Sequence, residues 1–347
     1  MAIDFNLLKR TSETPGAPGF EKSIRELVIA EIKDHVDSLH TDRMGNLVAF
    51  KKGKTNKKIM STAHLDEIGF IVTHVDDKGF IRFHTLGGFD PKTLTAQRVI
   101  VHGKKDLIGV MGGKPIHVMT PEERKQSLMC QDYFVDVGLP ADEVKKLVDV
   151  GTPITRQRDM IEMGSCVNGK SLDNRVAVYI LIETLKKLKN PAFDFYGVFT
   201  VQEEVGLRGA TVASHQIEPD IGINIDVTIA FDTPGAKEEE MIARLGKGTA
   251  IKILDGSVIC DTRLVEFMKK QAEANKIPYQ LEILTAGGTD SAAMQRMSKN
   301  GCIVGAISIP CRNVHQTVEM CNKDDISYSI DLLIKCVENM DQFSEEF

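Results

Sequence analysis

The spacing of apolar positions changes character along the chain. After Pro15-Gly16-Ala17-Pro18-Gly19, the residues Ile24, Leu27, Val28 and Ile32 recur at helical spacing, which predicts that the first segment is helical. Short strands are predicted at 46–50 and 58–63, and the second stops at His64-Leu65-Asp66-Glu67. From about Gly69 to Met163 the runs become shorter, at 70–75, 80–84, 98–101 and 133–137. They are separated by turn signals such as Asp76-Asp77-Lys78-Gly79 and Met111-Gly112-Gly113, with one helix predicted over 141–148. Past Leu172-Asp173-Asn174 a strong helix runs to about Lys189, with Val176, Ile180, Leu181 and Leu185 on one face. Strands at 195–201, 221–225, 249–254, 280–283 and 302–307 then alternate with helices to the end.

That texture predicts an α/β fold with a mixed sheet sandwiched by helices, interrupted by a small β-barrel-like domain. Residues 1–67 and 164–347 would rejoin in space as one domain, and 68–163 would form the insert. No internal repeat is apparent. A length of 347 residues suits two domains, at roughly 150 residues each.

Composition and charge narrow the function classes. With 42% hydrophobic and 27% charged residues the chain is ordinary for a globular protein. A formal charge of -6 speaks against a nucleic-acid surface, and the basic run 51–58 reads as a solvated turn. No apolar stretch is long enough for a bilayer, and Met1-Ala2-Ile3-Asp4-Phe5 lacks the basic and apolar regions of a signal peptide, so a cytoplasmic location without a membrane partner is expected. The 7 Cys show no Cys-x-x-Cys spacing and read as small apolar residues in a reducing compartment.

The candidate chemistry lies where acidic and imidazole groups meet element ends. His64 and Asp66 follow one predicted strand, Asp173 opens a helix, Glu203-Glu204 ends a second strand, Asp226 ends a third, and His315 lies beyond a fourth. In open α/β sheets such strand ends converge, so residues distant in sequence can meet there. Two imidazoles and several carboxylates form an N/O ligand set suited to Zn²⁺, Co²⁺ or Mn²⁺, and a carboxylate such as Asp173 can bridge two ions. One further carboxylate must stay unligated as a base, and Glu203 and Glu204 offer one residue for each role. Taken singly, each position also has a structural reading, as a cap, a surface acid or a packed histidine.

The motifs together resemble the co-catalytic metallopeptidases called tetrahedral, or TET, aminopeptidases, metallopeptidase family forty-two, which include glutamyl, leucyl and deblocking aminopeptidases. The resemblance rests on Ala63-His64-Leu65-Asp66-Glu67-Ile68-Gly69-Phe70, Leu172-Asp173-Asn174-Arg175, Val201-Gln202-Glu203-Glu204-Val205-Gly206-Leu207-Arg208-Gly209-Ala210, Ile225-Asp226-Val227-Thr228, Gly287-Gly288-Thr289-Asp290 and Val314-His315, in the family order. It implies a zinc-peptidase-like fold and two divalent cations per subunit, one held by His64, Asp173 and Asp226 and the other by Asp173, Glu204 and His315. It further implies that Glu203 is the general base acting on a water shared between the ions, and that Asp66 orients His64. Relatives usually carry Ser-Pro after the last His, where this chain has Gln316-Thr317.

The resemblance also implies the substrates, short peptides with a free N-terminus, and homo-oligomers from a dimer to a hollow twelve-subunit particle built through the insert. A two-metal carboxypeptidase or deacylase is the nearest alternative, and a non-catalytic assembly protein a more distant one. A glycosidase is disfavoured by the absence of Trp and an aromatic content of only 6%.

Overall fold

A computed structural model describes residues 3–346. Met1 and Ala2, part of the N-terminal stretch read above, and Phe347 lie outside the described residues. The chain opens with two helices, α1 (Phe5–Glu13) and α2 (Lys22–Ile32), then strands β1 (Ser38–Thr41), β2 (Leu47–Lys51) and β3 (Thr55–His64). The β-rich stretch contains β4 (Gly69–Val75), β5 (Ile81–Leu86), β6 (Arg98–His102), β7 (Asp106–Gly112), β8 (Phe134–Asp136), α3 (Ala141–Leu147) and β9 (Pro153–Arg156). A hairpin of β10 (Ile161–Met163) and β11 (Cys166–Gly169) leads to α4 (Leu172–Lys187), β12 (Phe193–Thr200), α5 (Arg208–Ile217) and β13 (Ile221–Ile229). The chain closes with β14 (Thr249–Leu254), α6 (Thr262–Ala274), β15 (Tyr279–Ile283), α7 (Asp290–Met297), β16 (Ile303–Arg312), β17 (Glu319–Asn322) and α8 (Lys323–Glu338).

Two sheets result. Among the described residues the large one has 11 strands, with β12, β3, β13 and β16 as neighbouring parallel strands, antiparallel pairings on both flanks and β15 added in parallel to β14, which itself pairs antiparallel with β16. The parallel quartet is buried on both faces, as its apolar runs require. Ile59, Phe195, Phe199 and Ile223 pack toward α1, α2, α4, α6 and α8, whereas Met60, Val198 and Val304 pack under Ala213 of α5 and Ala292 and Met294 of α7. The fold is thus the sandwiched mixed sheet that the alternation of strands and helices predicts.

The second sheet is a closed barrel in the order β4-β5-β8-β7-β6-β9. Its core is separate: Phe70, Val72, Ile81, Val99, Val101, Val135 and Ile154 fill it, with Val144 of α3 packed against them. The barrel strands end at Arg156, and β10, although inside the 68–163 segment, pairs with β11 in the large sheet.

Several local expectations differ from the structure. Met111-Gly112, read as a turn, completes β7, because Gly109 and Gly112 let Val135 and Phe134 lie against that strand. The basic run 51–58 is divided between the ends of β2 and β3. Its first residue, Lys51, is engaged rather than solvated, donating to the Leu185 and Leu188 carbonyls at 3.0 and 2.6 Å near the C-terminal end of α4. Strand β13 runs on to Ile229, so Asp226 lies inside a strand and not at its end.

Candidate metal centre

The parallel strands deliver their C-terminal ends to one crevice. Strand β3 ends at His64, while β13 continues: their pairing is recorded only to Asn224↔Thr62, although β13 stays paired with β16 as far as Ile229. Asp226, two residues past that last pair, brings Oδ1 to 3.8 Å from His64 Nε2. From the other flank, β12 ends at Thr200 and the chain turns through Gln202 before reaching Glu203 and Glu204. His315 follows β16 by three residues.

Asp173 stands between the two imidazoles. Its Oδ1 is 3.3 Å from His64 Nε2 and its Oδ2 is 3.4 Å from His315 Nε2. Glu204 Oε1 is 3.5 Å from the same His315 nitrogen, and Glu203 Oε2 is 3.9 Å from His64 Nε2. Two overlapping groups, His64–Glu203–Asp226 and His64–Asp173–Glu204, each place one ligand atom per residue within 4.8 Å of one another. All six residues named as ligands or base from the sequence therefore face one crevice.

The seventh, Asp66, is arranged differently from a simple carboxylate–imidazole pair. His64 Nδ1 lies 3.0 Å from the Asp66 main-chain carbonyl and 3.6 Å from its carboxylate. Donation to that carbonyl places a proton on Nδ1 and turns Nε2 toward the crevice. The carboxylate accepts the main-chain N–H groups of Glu203 and Glu204 at 3.1 and 3.0 Å. Asp66 thus braces both flanks of the site.

The backbone is constrained here. Gln202, Leu207 and His315 adopt φ of 55°, 55° and 65°, left-handed values that non-glycine residues seldom take. Gly209 is required by contact: a Cβ there would lie 2.3 Å from Asn46 Oδ1 and 2.4 Å from the Val201 carbonyl.

The electrostatics of the crevice bear on what it could hold. Burial, with Asp173 as a further like charge, pushes the Asp226 carboxyl up to about 8. Burial also raises Glu203, reinforced by Asp226, Asp290 and Glu204, and raises Glu204. Burial alone would depress His64 and His315, but the surrounding carboxylates hold His64 well above its usual value and His315 at about 11. Such buried acids call for positive charge beyond the two imidazoles, and the N/O donor set fits divalent cations.

Other groups complete the surroundings without having been singled out from the sequence. Glu67 lies in a buried cluster with Lys170 Nζ at 2.7 and 2.6 Å, and Arg175 donates to the Leu65, Thr11 and Thr14 carbonyls. This cluster ties the end of β3 to the start of α4 and to α1. Asp290, quoted only as the last residue of the Gly287-Gly288-Thr289-Asp290 motif, accepts from Thr200 at 2.6 Å beneath the crevice. Lys252 and Asp255 line a pocket of about 770 Å³ that opens from the site, together with Gly88 and Phe89, which follow barrel strand β5. A glycine, a phenylalanine or a buried lysine has no local pattern that marks it as part of a pocket.

Comparison with known proteins adds an independent observation. A family model described as M42 glutamyl aminopeptidase matches residues 45–332. A putative aminopeptidase of Acetivibrio thermocellus is 42% identical over 96% of this chain and 98% of its own. The solved TET aminopeptidase of the marine sediment archaeon Thaumarchaeota archaeon SCGC AB-539-E09 is 32% identical, with 98% of both chains covered and a TM-score of 0.94. The TET1 peptidase of Pyrococcus horikoshii, described as able to assemble into a tetrahedron or a large octahedral shell, is 32% identical over 96% of this chain and 98% of its own, with a TM-score of 0.85.

Proposed function

This chain belongs to the M42 glutamyl aminopeptidase family, and on that premise we propose that it is a two-metal aminopeptidase that removes N-terminal residues from short peptides. Membership makes the chain a peptide-bond hydrolase; the metal partition, the base and the substrate end are the proposal. The observation that carries it is the placement of Asp173, whose two carboxylate oxygens face His64 on one side and His315 on the other.

In this reading His64, Asp173 and Asp226 would hold one cation, and Asp173, Glu204 and His315 would hold the second. Zn²⁺, Co²⁺ or Mn²⁺ bound there would polarise the scissile carbonyl and bring the ionisation of a water close to neutral pH. Glu204 approaches His315 Nε2 to 3.5 Å, whereas Glu203 stands off at 3.9 Å from His64 Nε2, and the longer separation supports leaving Glu203 as the base. Glu203 accepts a proton from the attacking water and returns it to the departing amine. Asp66 holds His64 through its carbonyl and the 203–204 backbone through its carboxylate, so ligand, base and imidazole keep one geometry.

The barrel is proposed as the assembly module. Its outward positions Ile108 and Val110, and the segment that carries Ile116, Val118 and Met129, expose apolar side chains that a second subunit would cover. A cytoplasmic setting agrees with seven free cysteines among the described residues, and no helix there is long and apolar enough to cross a membrane. Light scattering distinguishes dimers from the twelve-subunit particle.

The test of the activity is a panel of free-amine and N-acetylated aminoacyl substrates, assayed with chelated and cation-restored protein. Cleavage of free-amine substrates alone, lost on chelation, is expected. Equal cleavage of blocked substrates would replace this reading with the deacylase or carboxypeptidase class, and cleavage of neither would remove the substrate assignment.

A further inference from the structure

Glu319, the first residue of β17, stands four positions past His315 and plays no part in the chemistry above. It is fully buried. Its Oε2 accepts the main-chain N–H of Asp173 at 2.9 Å across 146 residues of sequence, while Oε1 is buried without a hydrogen-bond partner.

The need for this contact comes from the start of α4. The first N–H groups of a helix have no partner within it. Ser171, at the cap position, makes no capping hydrogen bond, and Asp173 departs from helical geometry, with φ -77° and ψ 106°. Glu319 therefore serves as a remote cap for the N–H of the residue placed between the two imidazoles. Its own position is secured independently. It pairs in register with Gly169. Asn168 Nδ2 donates to the carbonyls of Val318 and Glu319 at 2.8 and 3.0 Å, and Asn313 Nδ2 donates to Val318 at 3.2 Å.

We infer that Glu319 is a positioning residue for the metal centre: its carboxylate holds the Asp173 backbone and thereby aims the two Asp173 oxygens, one at each cation position. The inference rests on the two-cation reading above. Because Glu319 also closes the loop that carries His315, one side chain sets the relation between that loop and Asp173. A displaced Asp173 would weaken both cations together, and neighbours that orient metal ligands typically change affinity about 10–100-fold when altered.

The test is calorimetric titration of the metal-stripped full-length protein with Zn²⁺, repeated with Co²⁺ to read its visible spectrum, on wild type, Glu319→Gln and Glu319→Asp. Glutamine keeps an acceptor at the same reach without the charge; aspartate keeps the charge and withdraws the acceptor by one methylene. The expected order is wild-type affinity and cobalt spectrum for the Gln variant, and about 10-fold or weaker binding with an altered spectrum for the Asp variant. The reverse order would assign the effect to charge and overturn the inference. Equal losses in both variants, or none in either, would also overturn it, the first by making Glu319 a packing residue only. Wild-type protein that takes up two cations while the variants depart from the expected order rejects this inference alone; wild-type protein that takes up none rejects the metal reading with it.

Discussion

The metal crevice and the barrel are buried in opposite ways. The barrel interior is apolar and complete in itself, filled by Phe70, Val99, Val135, Ile154 and their neighbours, so its stability comes from area removed from water. The crevice buries Asp173, Glu203, Asp226 and His64 where the C-terminal parts of the parallel strands meet the start of α4; there the charges repel and the backbone adopts left-handed turns. One region is stable for its own sake and leaves its unfinished apolar surface outside. The other is kept in place by the scaffold around it and, on the proposed reading, would be completed by cations. Binding capacity resides where local stability is given up.

The largest expected effect separates chemistry from metal binding within the crevice. Glu203→Gln should lower kcat by about 10²–10⁴-fold while elemental analysis finds the wild-type cation content. Loss of metal in that variant would move Glu203 among the ligands and redraw the partition.

Next comes the scaffold that restrains the crevice. Glu67→Ala leaves the Lys170 ammonium buried and unpaired, since Lys170 makes two contacts of 2.7 and 2.6 Å with Glu67. Denaturant unfolding should show a loss of about 3–5 kcal/mol, with weaker cation uptake because β3 and α4 are no longer tied. An unchanged midpoint would mean that the strand ends hold themselves.

The barrel should respond in the other manner. Ile154→Ala opens a void among fully buried side chains and is expected to cost about 2–5 kcal/mol of stability. Cation stoichiometry and kcat of the folded protein should stay the same. A parallel fall in cation affinity would show that the two regions are coupled through the loop carrying Gly88 and Phe89, and would weaken the contrast drawn between them.

The smallest effect lies at Glu21, buried against the turn through Gln202, and depends on pH. Burial, assisted by the Asp66 charge, raises Glu21 from 4.5 to about 7. The native state then binds more protons than the unfolded state between those values, so this group's contribution is full at low pH and is lost as pH rises through about 7. Glu21→Gln keeps an oxygen for the Gly19 and Gln202 N–H groups, which Glu21 accepts at 2.7 and 3.1 Å. Its thermal midpoint should match wild type near pH 4.5 and exceed it above pH 7, by a stability of about 1–3 kcal/mol. A difference constant with pH would place the effect in packing instead.

Legibility differed between the same two regions. The apolar periodicity located the main helices and β2, β3, β12, β13, β14, β15 and β16 of the large sheet, but not β1, β10, β11 and β17, whose three or four residues are too short to show a period. The short β runs with their turns announced the barrel. Two barrel strands, Asp106–Gly112 and Pro153–Arg156, escaped because glycine and proline dominate their signal. At the crevice, the six residues His64, Asp173, Glu203, Glu204, Asp226 and His315 stood out by type and by their place near element ends. Asp226 reads from the sequence as the end of a strand because the unbroken apolar pattern stops at Ile225, whereas the structure shows β13 continuing beside β16 after β3 has ended.

What the sequence determined by itself was the longer helices and strands, the presence of a β-rich module between them and the identity of groups with the chemistry to ligate cations. These depend on local periodicity and on side-chain chemistry, both of which are written residue by residue. Only the tertiary structure decided that Asp66 works through its carbonyl on one side and its carboxylate on the other, that Lys170 answers Glu67, and that Glu319 caps the Asp173 N–H. Those contacts join residues as many as 146 positions apart. They arise from where neighbouring strands end and how the backbone turns there, a relation between segments that no single stretch of sequence contains.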